Sequence, residues 1–213
     1  IDGPLSDSIP SCPVLMVWEE NKSRYRLCVD YSPLNKIMED IHGATFSVHR
    51  SIERLNGKII ATFDYRSAFF QRIVHENSRA LLAMSTPFGI YTWNGCPFGT
   101  KTQPMSYQYE MNSLLVPLQD CAFAYLDNLF VYADDWDTFH TALERTLQTL
   151  QKMGGHLNLK DTRIGFDETT ALGYVVSQNG YVPDPKHLAT IANLGPPKSA
   201  TDVRSITGIG NFI

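Results

Sequence analysis

The stretch CAFAYLDNLFVY (Cys121–Tyr132) decides how the chain is read. Two runs of apolar and aromatic residues flank one charged side chain, Asp127, and one amide, Asn128. Both residues tolerate the left-handed backbone of tight turns, so the stretch predicts a β-hairpin with Asp127-Asn128 at its tip. A carboxylate set among such side chains needs a reason. Two carboxylates would read as a metal site, whereas one carboxylate and one amide leave the question open.

The flanking sequence supplies the hairpin's neighbours. On its C-terminal side, DTFHTALERTLQTLQKMGG repeats Phe139, Ala142, Leu143, Thr146, Leu147, Leu150 and Met153 at helical spacing and stops at Gly154-Gly155, an amphipathic helix. On its N-terminal side, TKTQPMSYQYEMNSLL starts a second helix near Thr102 and Pro104, after a turn-rich region at Thr86–Gly99. KIIATFD (Lys58–Asp64) is a short β-branched strand that ends on a carboxylate. Before it, SVHRSIERLNG places Val48, Ile52 and Leu55 on one helical face, between an N-cap at Ser47 and Gly57.

Farther out, RYRLCVDY (Arg24–Tyr31) reads as a strand and SPLNK as a turn. LGYVVSQNGYVPD reads as a hairpin turning at Asn179-Gly180. DPKHLATIANL follows as a helix capped by Asp184 with Pro185 at its first position, and PPKSATDVRSITGIGNFI begins another. Residues 1–23, interrupted by Pro4, Pro10 and Pro13, read as irregular, and the start without methionine reads as a segment of something longer. No internal repeat is present, and the order of elements is that of a mixed α+β domain.

Composition bounds the function. A chain of 213 residues with 43% hydrophobic and 19% charged residues can bury a real core. No apolar run approaches the 18 residues of a membrane span and no N-terminal signal pattern is present, so no membrane partner is expected. Cys12, Cys28, Cys96 and Cys121 lie far apart, which predicts reduced core thiols of an intracellular protein, cytoplasmic or nuclear, and argues against zinc. A net charge of −4 and a pI near 5.8 argue against avid sequence-independent binding of nucleic acid.

The strongest chemical pairing is Asp64 at a strand end with Asp127 at a hairpin tip. Two carboxylates on adjacent strands can share divalent cations, since Mg²⁺ is usually held by one or two carboxylates plus substrate phosphates. That arrangement suits phosphoryl or nucleotidyl transfer by a two-metal route. The alternative from pattern alone is that Asp64 caps a strand and Asp127 forms a turn.

Seven motifs carry a resemblance. RLCVDYSPLNK, FDYRSAFFQ, TPFGIYTWNGCPFG, QPMSYQYEMN, AYLDNLFVYA, GGHLNLK and LGYVVSQNGYVPDPKHL occur in the order and spacing of reverse transcriptases of the Ty3/gypsy class of long-terminal-repeat retrotransposons, and they span nearly the whole chain. The resemblance implies an α+β right-hand polymerase with fingers and palm, the palm an antiparallel sheet backed by helices. Residues 1–60 would be fingers and the start of the palm, 61–176 the palm with a fingers insertion at about 72–100, and 177–213 the palm end and a connection toward a thumb.

The implied activity is that of an RNA-directed DNA polymerase, adding deoxynucleotides to a primer 3′ end with two Mg²⁺ ions, or Mn²⁺ in their place. Its partners would be an RNA or DNA template-primer and dNTP, and a retroelement particle would be one setting. Asp64 and Asp127 match the family's metal-binding aspartates. Phe69 matches the aromatic that blocks a ribose 2′-hydroxyl; read without the family it is a core phenylalanine. Pro97, Phe98 and Gly99 match the turn beside the incoming nucleotide, and Gln108 follows in the helix on the template side. Arg26 matches the fingers arginine that contacts the triphosphate, a role suited to a planar, permanently charged fork; without the family it is an edge-strand surface charge. Leu172, Gly173 and Tyr174 fall where the family grips the primer backbone.

Three departures stand against this pattern. Asn128 replaces the second aspartate of the family's box and removes a charge from the metal site. Glu19 and Glu20 put negative charge where the fingers approach phosphate, with Lys22 and Arg24 as the compensating cations, and Leu81 replaces a residue that is often basic. Asp134 and Asp135, past the hairpin strand, are not expected to substitute for the missing carboxylate. The sequence is therefore compatible with an attenuated polymerase or with an inactive module that keeps the shell and binds a protein partner or a second subunit.

Overall fold

The computed structural model describes every residue except 7–8, 21–22, 42–46, 167, 193–195, 198 and 211–213. The compensating role expected of Lys22 falls outside the described residues. Residues 1–44 and 65–114 cluster as one unit, and residues 45–64 and 115–213 as another, so each unit is built from two separate stretches of chain.

The first unit carries β1 (Asp2–Leu5), β2 (Cys12–Glu19), β3 (Arg24–Val29), α1 (Ser32–Ile37), α3 (Glu76–Arg79), β5 (Met84–Thr86), β6 (Gly89–Thr92) and α4 (Gln103–Leu114). The second carries α2 (Val48–Leu55), β4 (Ile59–Asp64), β7 (Ala122–Tyr125), β8 (Asn128–Ala133), α5 (Trp136–Lys152), β9 (Arg163–Ile164), β10 (Glu168–Ala171), β11 (Tyr174–Ser177), β12 (Gly180–Pro183), α6 (Pro185–Ala192) and α7 (Ala200–Gly210).

In the first unit five strands run in the order β1-β6-β5-β2-β3. Here the structure corrects the expectation of an irregular N-terminus. β1 pairs with β6, Asp2 opposite Thr92, and β2 pairs in parallel with β5, Cys12 opposite Met84. The prolines are compatible with this because Pro4 lies in the edge strand and Pro13 at the start of its strand. SPLNK, expected as a turn, is the short helix α1 with proline in its first turn, and Asp30 accepts the Ser32 amide at 2.9 Å.

In the second unit the sheet order is β7-β8-β4-β9, antiparallel throughout. Alternation along β4 and β8 splits the side chains between two faces. Ile60, Phe130 and Tyr132 point to a core shared with Ile52 and Leu55 of α2 and Ala171, Tyr174 and Val176 of the three-stranded β10-β11-β12 sheet. α5 packs on β8 and β4 and buries Phe139, Ala142, Thr146 and Leu150. Leu147, expected in that apolar stripe, is 39% exposed on the helix flank.

The ends of α5 show how local sequence fixes an element. Asp135 accepts the Thr138 amide at 2.9 Å, a side-chain N-cap that holds its carboxyl below the ordinary range. At the other end Gly154 takes φ +68°, the Gly155 amide reaches the Leu150 carbonyl at 3.0 Å and the Gly154 amide reaches Gln151, a Schellman closure. Asp134 is ion-paired to Lys58, so both carboxylates past the hairpin have other work. Ser47 stands at the N-cap of α2 but makes no side-chain capping bond.

All four cysteines are unpaired, and Cys12 and Cys121 are buried. Burial pushes both thiols above their ordinary range, which keeps them protonated. Among the described residues no helix is long and apolar enough to cross a membrane.

Candidate active site

At the end of the second unit's sheet, Asp64 and Asn128 lie directly opposite each other in the β4–β8 register. The hairpin turn is not where the sequence placed it. Tyr125 pairs with Asn128, so the two turn residues are Leu126 and Asp127, and Leu126 takes φ +51°. A branched side chain in the left-handed region is strained, and such strain is held where surrounding structure over-determines it. Asp127 is consequently exposed at the tip, while Asn128 belongs to the strand and faces the same side as Phe130.

The Asn128 amide reaches Asp127 Oδ1 at 3.4 Å, while its backbone position is paired with that of Asp64. Asp64 and Asn128 line a cavity of about 460 Å³ with Asp161, Arg163, Leu172 and Gly173. Leu172 and Gly173 form the two-residue turn between β10 and β11, at φ +50° and +81°, the signature of a type I′ turn. Both line the cavity, whereas Tyr174 buries its ring in the core against Tyr181, centroids 5.8 Å apart. Asn179-Gly180 shows the same shift of one residue as the first hairpin, because Ser177 pairs with Gly180 and the turn is Gln178-Asn179.

Sequence reasoning missed Asn158, Asp161 and Arg163 of this cavity's surround. Asn158 donates its amide to Asp64 Oδ2 at 3.2 Å and its backbone N–H to the Asp64 carbonyl at 2.8 Å. The only signal was the motif GGHLNLK, which points to no partner by itself. Among the described residues no three His, Cys, Asp or Glu side chains gather to hold a metal ion.

In the first unit, Ser67 at φ +53° turns the chain into a single helical turn, Ala68–Gln71, that carries Phe69. The Phe69 ring meets Phe98 and Tyr107 edge-on, with centroids 5.0 and 5.2 Å apart. The Arg26 guanidinium sits 4.8 Å above Phe98, and its Nη1 is 3.5 Å from Glu19. Arg26, Phe69 and Phe98 thus form one cluster, and Phe98 keeps 38% of its surface exposed. Gly99 takes φ +106° beneath it, and its carbonyl accepts the Asn35 amide at 2.9 Å. Gln108 does not open onto this cluster's surface; it is buried in α4 and donates to Asn112 at 2.8 Å. Leu81 is exposed beside the apolar groove lined by Leu34, Met38 and Ile41.

The family model described as reverse transcriptase (RNA-dependent DNA polymerase) matches residues 18–176. The chain belongs to the reverse transcriptase family. This reverse transcriptase domain is 27% identical to the retrovirus-related Pol polyprotein from transposon opus of Drosophila melanogaster, over 97% of the chain and 21% of the relative. It is 23% identical to the transposon Tf2-7 polyprotein of Schizosaccharomyces pombe, over 98% of the chain and 16% of the relative. The chain therefore spans about a fifth or less of these polyproteins. Among solved structures, the foamy viral protease-reverse transcriptase dRH in complex with double-stranded DNA matches with a TM-score of 0.84 at 20% identity, covering 97% of this chain and 36% of that one. The same viral enzyme with an RNA/DNA hybrid matches at 0.78 and 21% identity, covering 97% and 28%. The reverse transcriptase domain thus has the right-hand polymerase fold expected from its motifs, with an antiparallel sheet backed by helices.

Proposed function

We propose that the domain is an RNA-directed DNA polymerase of the Ty3/gypsy class, adding deoxynucleotides to a primer 3′ end on an RNA or DNA template, with a rate attenuated by Asn128. The observation that carries this reading is the register that sets Asp64 opposite Asn128, with Asp127 next to it at the hairpin tip. Residues 1–60 would serve as fingers and the start of the palm, 61–176 as the palm with a fingers insertion at about 72–100, and 177–213 as the way to a thumb.

The donor set fits a divalent cation. Asp64 and Asp127 supply hard carboxylate oxygens and Asn128 an amide oxygen, and Mg²⁺ commonly takes one or two carboxylates plus substrate phosphates. Bound there, the ion would neutralise charge on the triphosphate and orient it. Asn128 contributes a dipole where the family has a charge. Leu172 and Gly173 offer backbone to a primer strand, and Arg26 offers its fork to the triphosphate. Primer extension on a defined RNA template, with Mg²⁺ and then Mn²⁺, tests the reading: extension is expected in at least one metal, and its abolition by Asp64→Ala is required.

Phe69 is the proposed barrier to ribonucleotides, since a flat ring beneath the sugar leaves room for hydrogen but not for oxygen. Phe69→Val is expected to raise rNTP incorporation relative to dNTP by about tenfold or more, a steric term of about 1.4 kcal/mol. Competitive single-nucleotide extension measures it, and an unchanged ratio assigns Phe69 to packing alone.

Glu19 engages Arg24 at 2.8 Å and Arg26 at 3.5 Å. Glu19 thereby competes with phosphate for both guanidinium groups. Glu19→Gln is expected to tighten primer-template binding by about two- to fivefold, the size of one exposed ion pair, with a steeper salt dependence. Fluorescence anisotropy across a salt series checks this.

A second reading is favoured by Asn128 together with an apolar groove of about 930 Å³ in the first unit, lined by Val14, Met16, Leu27, Met84 and Phe88. In that reading the shell is kept as an inactive module that binds a protein partner or a second subunit. Strong, salt-sensitive binding to a primer-template duplex argues against it.

A further inference from the structure

The motif GGHLNLK has no part in the reaction as derived so far, yet the structure delivers its asparagine to the reacting end of β4. Asn158 lies 94 positions from Asp64 in sequence and touches it twice. Its backbone N–H donates to the Asp64 carbonyl at 2.8 Å, which ties the loop to the strand end. Its side-chain amide donates to Asp64 Oδ2 at 3.2 Å and also to Asp161 Oδ2.

An asparagine amide has two N–H bonds, and here one is directed to each carboxylate. The loop that presents it is itself braced: the Asp161 amide and the Thr162 hydroxyl both donate to the Asn158 carbonyl, at 3.2 and 3.0 Å. Thr162 then leads into β9, which pairs with Ala61 and Thr62 of β4. The anchor is therefore fixed to the same strand as the carboxylate it holds.

We infer that Asn158 is a positioning residue, fixing the orientation in which the Asp64 carboxylate meets a divalent cation. Asp161 completes the device by restraining the second N–H of the same amide. The inference rests on the proposed metal-binding role of Asp64. Its physical basis is general: partners in the outer shell fix the orientation of a ligating carboxylate, and their loss costs about 10- to 100-fold in metal affinity or activity.

Mn²⁺ binding to the protein without nucleic acid, read from the loss of the free-ion EPR signal, tests the inference beside a thermal melt. Asn158→Ala is expected to weaken Mn²⁺ binding by about 10-fold or more. Thr162→Val disturbs the same loop without touching the carboxylate and is expected to leave affinity within about twofold. In primer extension, Asn158→Ala should lower kcat at saturating Mn²⁺ while leaving the KM for dNTP nearly unchanged, because it alters geometry at Asp64 and not the nucleotide contacts.

Three outcomes overturn the inference and are distinguishable. Loss of Mn²⁺ binding in Asp64→Asn with unchanged binding in Asn158→Ala removes the positioning role alone. Equal weakening in Thr162→Val and Asn158→Ala assigns the effect to loop integrity. Unchanged binding in Asp64→Asn removes the metal role of Asp64, and the positioning role with it.

Discussion

Replacing Asn128 with aspartate is expected to raise Mg²⁺-dependent primer extension by about tenfold or more. Asn128 sits opposite Asp64 and its amide reaches Asp127 at 3.4 Å, so a carboxylate at this position would add negative charge near two others. Without a cation that crowding is unfavourable; with one it becomes the attraction that holds the ion. A unit charge at about 4 Å is worth on the order of 4 kcal/mol at an effective dielectric near 20. If only a third of that is felt in the transition state, about 1.4 kcal/mol, the rate rises tenfold.

Single-turnover extension of a defined primer in Mg²⁺ measures the change, with Asp64→Ala in the same background as the control. Extension strengthened by Asn128→Asp and abolished by Asp64→Ala marks an intact polymerase shell with one lesion. No extension from either protein removes the enzyme reading and turns attention to what the shell binds.

The second large effect is on stability. Phe130→Ala is expected to destabilise the second unit by about 3–5 kcal/mol. Phe130 is 2% exposed, stacks on Phe123 with centroids 5.0 Å apart and joins α2 to the three-stranded sheet. Its loss leaves a cavity bounded by Ile52, Leu55 and Tyr132 that a sheet and a helix cannot collapse to fill. At about 2–4 °C per kcal/mol, the melting midpoint should fall by about 10 °C. Circular dichroism melts check this, with Phe88→Ala as the comparison. Phe88 is 83% exposed, and its removal should change stability by less than about 0.5 kcal/mol.

These two residues also separate what was legible in the sequence from what was not. The strand Lys58–Asp64, the hairpin around residue 127 and the helix ending at Gly154-Gly155 were readable because each is written in local chemistry: β-branched runs, turn residues, a cap and a 3.6-residue repeat. The turn register was not. Asp127-Asn128 and Asn179-Gly180 are both good turn pairs, yet each hairpin turns one residue earlier. Local preference at a turn is small, whereas β8 is paired along its length with both β4 and β7. Strand pairing therefore sets where the turn falls, and it moves Asn128 off the tip and into line with Asp64.

The N-terminal strands and the role of Asn158 were hidden for a related reason. Prolines at 4, 10 and 13 speak locally against structure, but β1 and β2 are completed by β6 and β5, at least 72 positions away by the Asp2–Thr92 and Cys12–Met84 pairings. Asn158 is an ordinary loop residue until a contact 94 positions distant brings it to Asp64.

By itself the sequence determined the family and the α+β order of elements, and it named Asp64, Asp127 and Asn128 as the residues of the proposed metal site. The tertiary structure alone decided which face Asn128 shares with Asp64, that Asp134 and Asp135 serve Lys58 and a helix cap, and that Asn158 hydrogen-bonds Asp64. Motifs and propensities are properties of neighbours in the chain. Register and side-chain partnership are set by burial and hydrogen bonding between segments far apart in it.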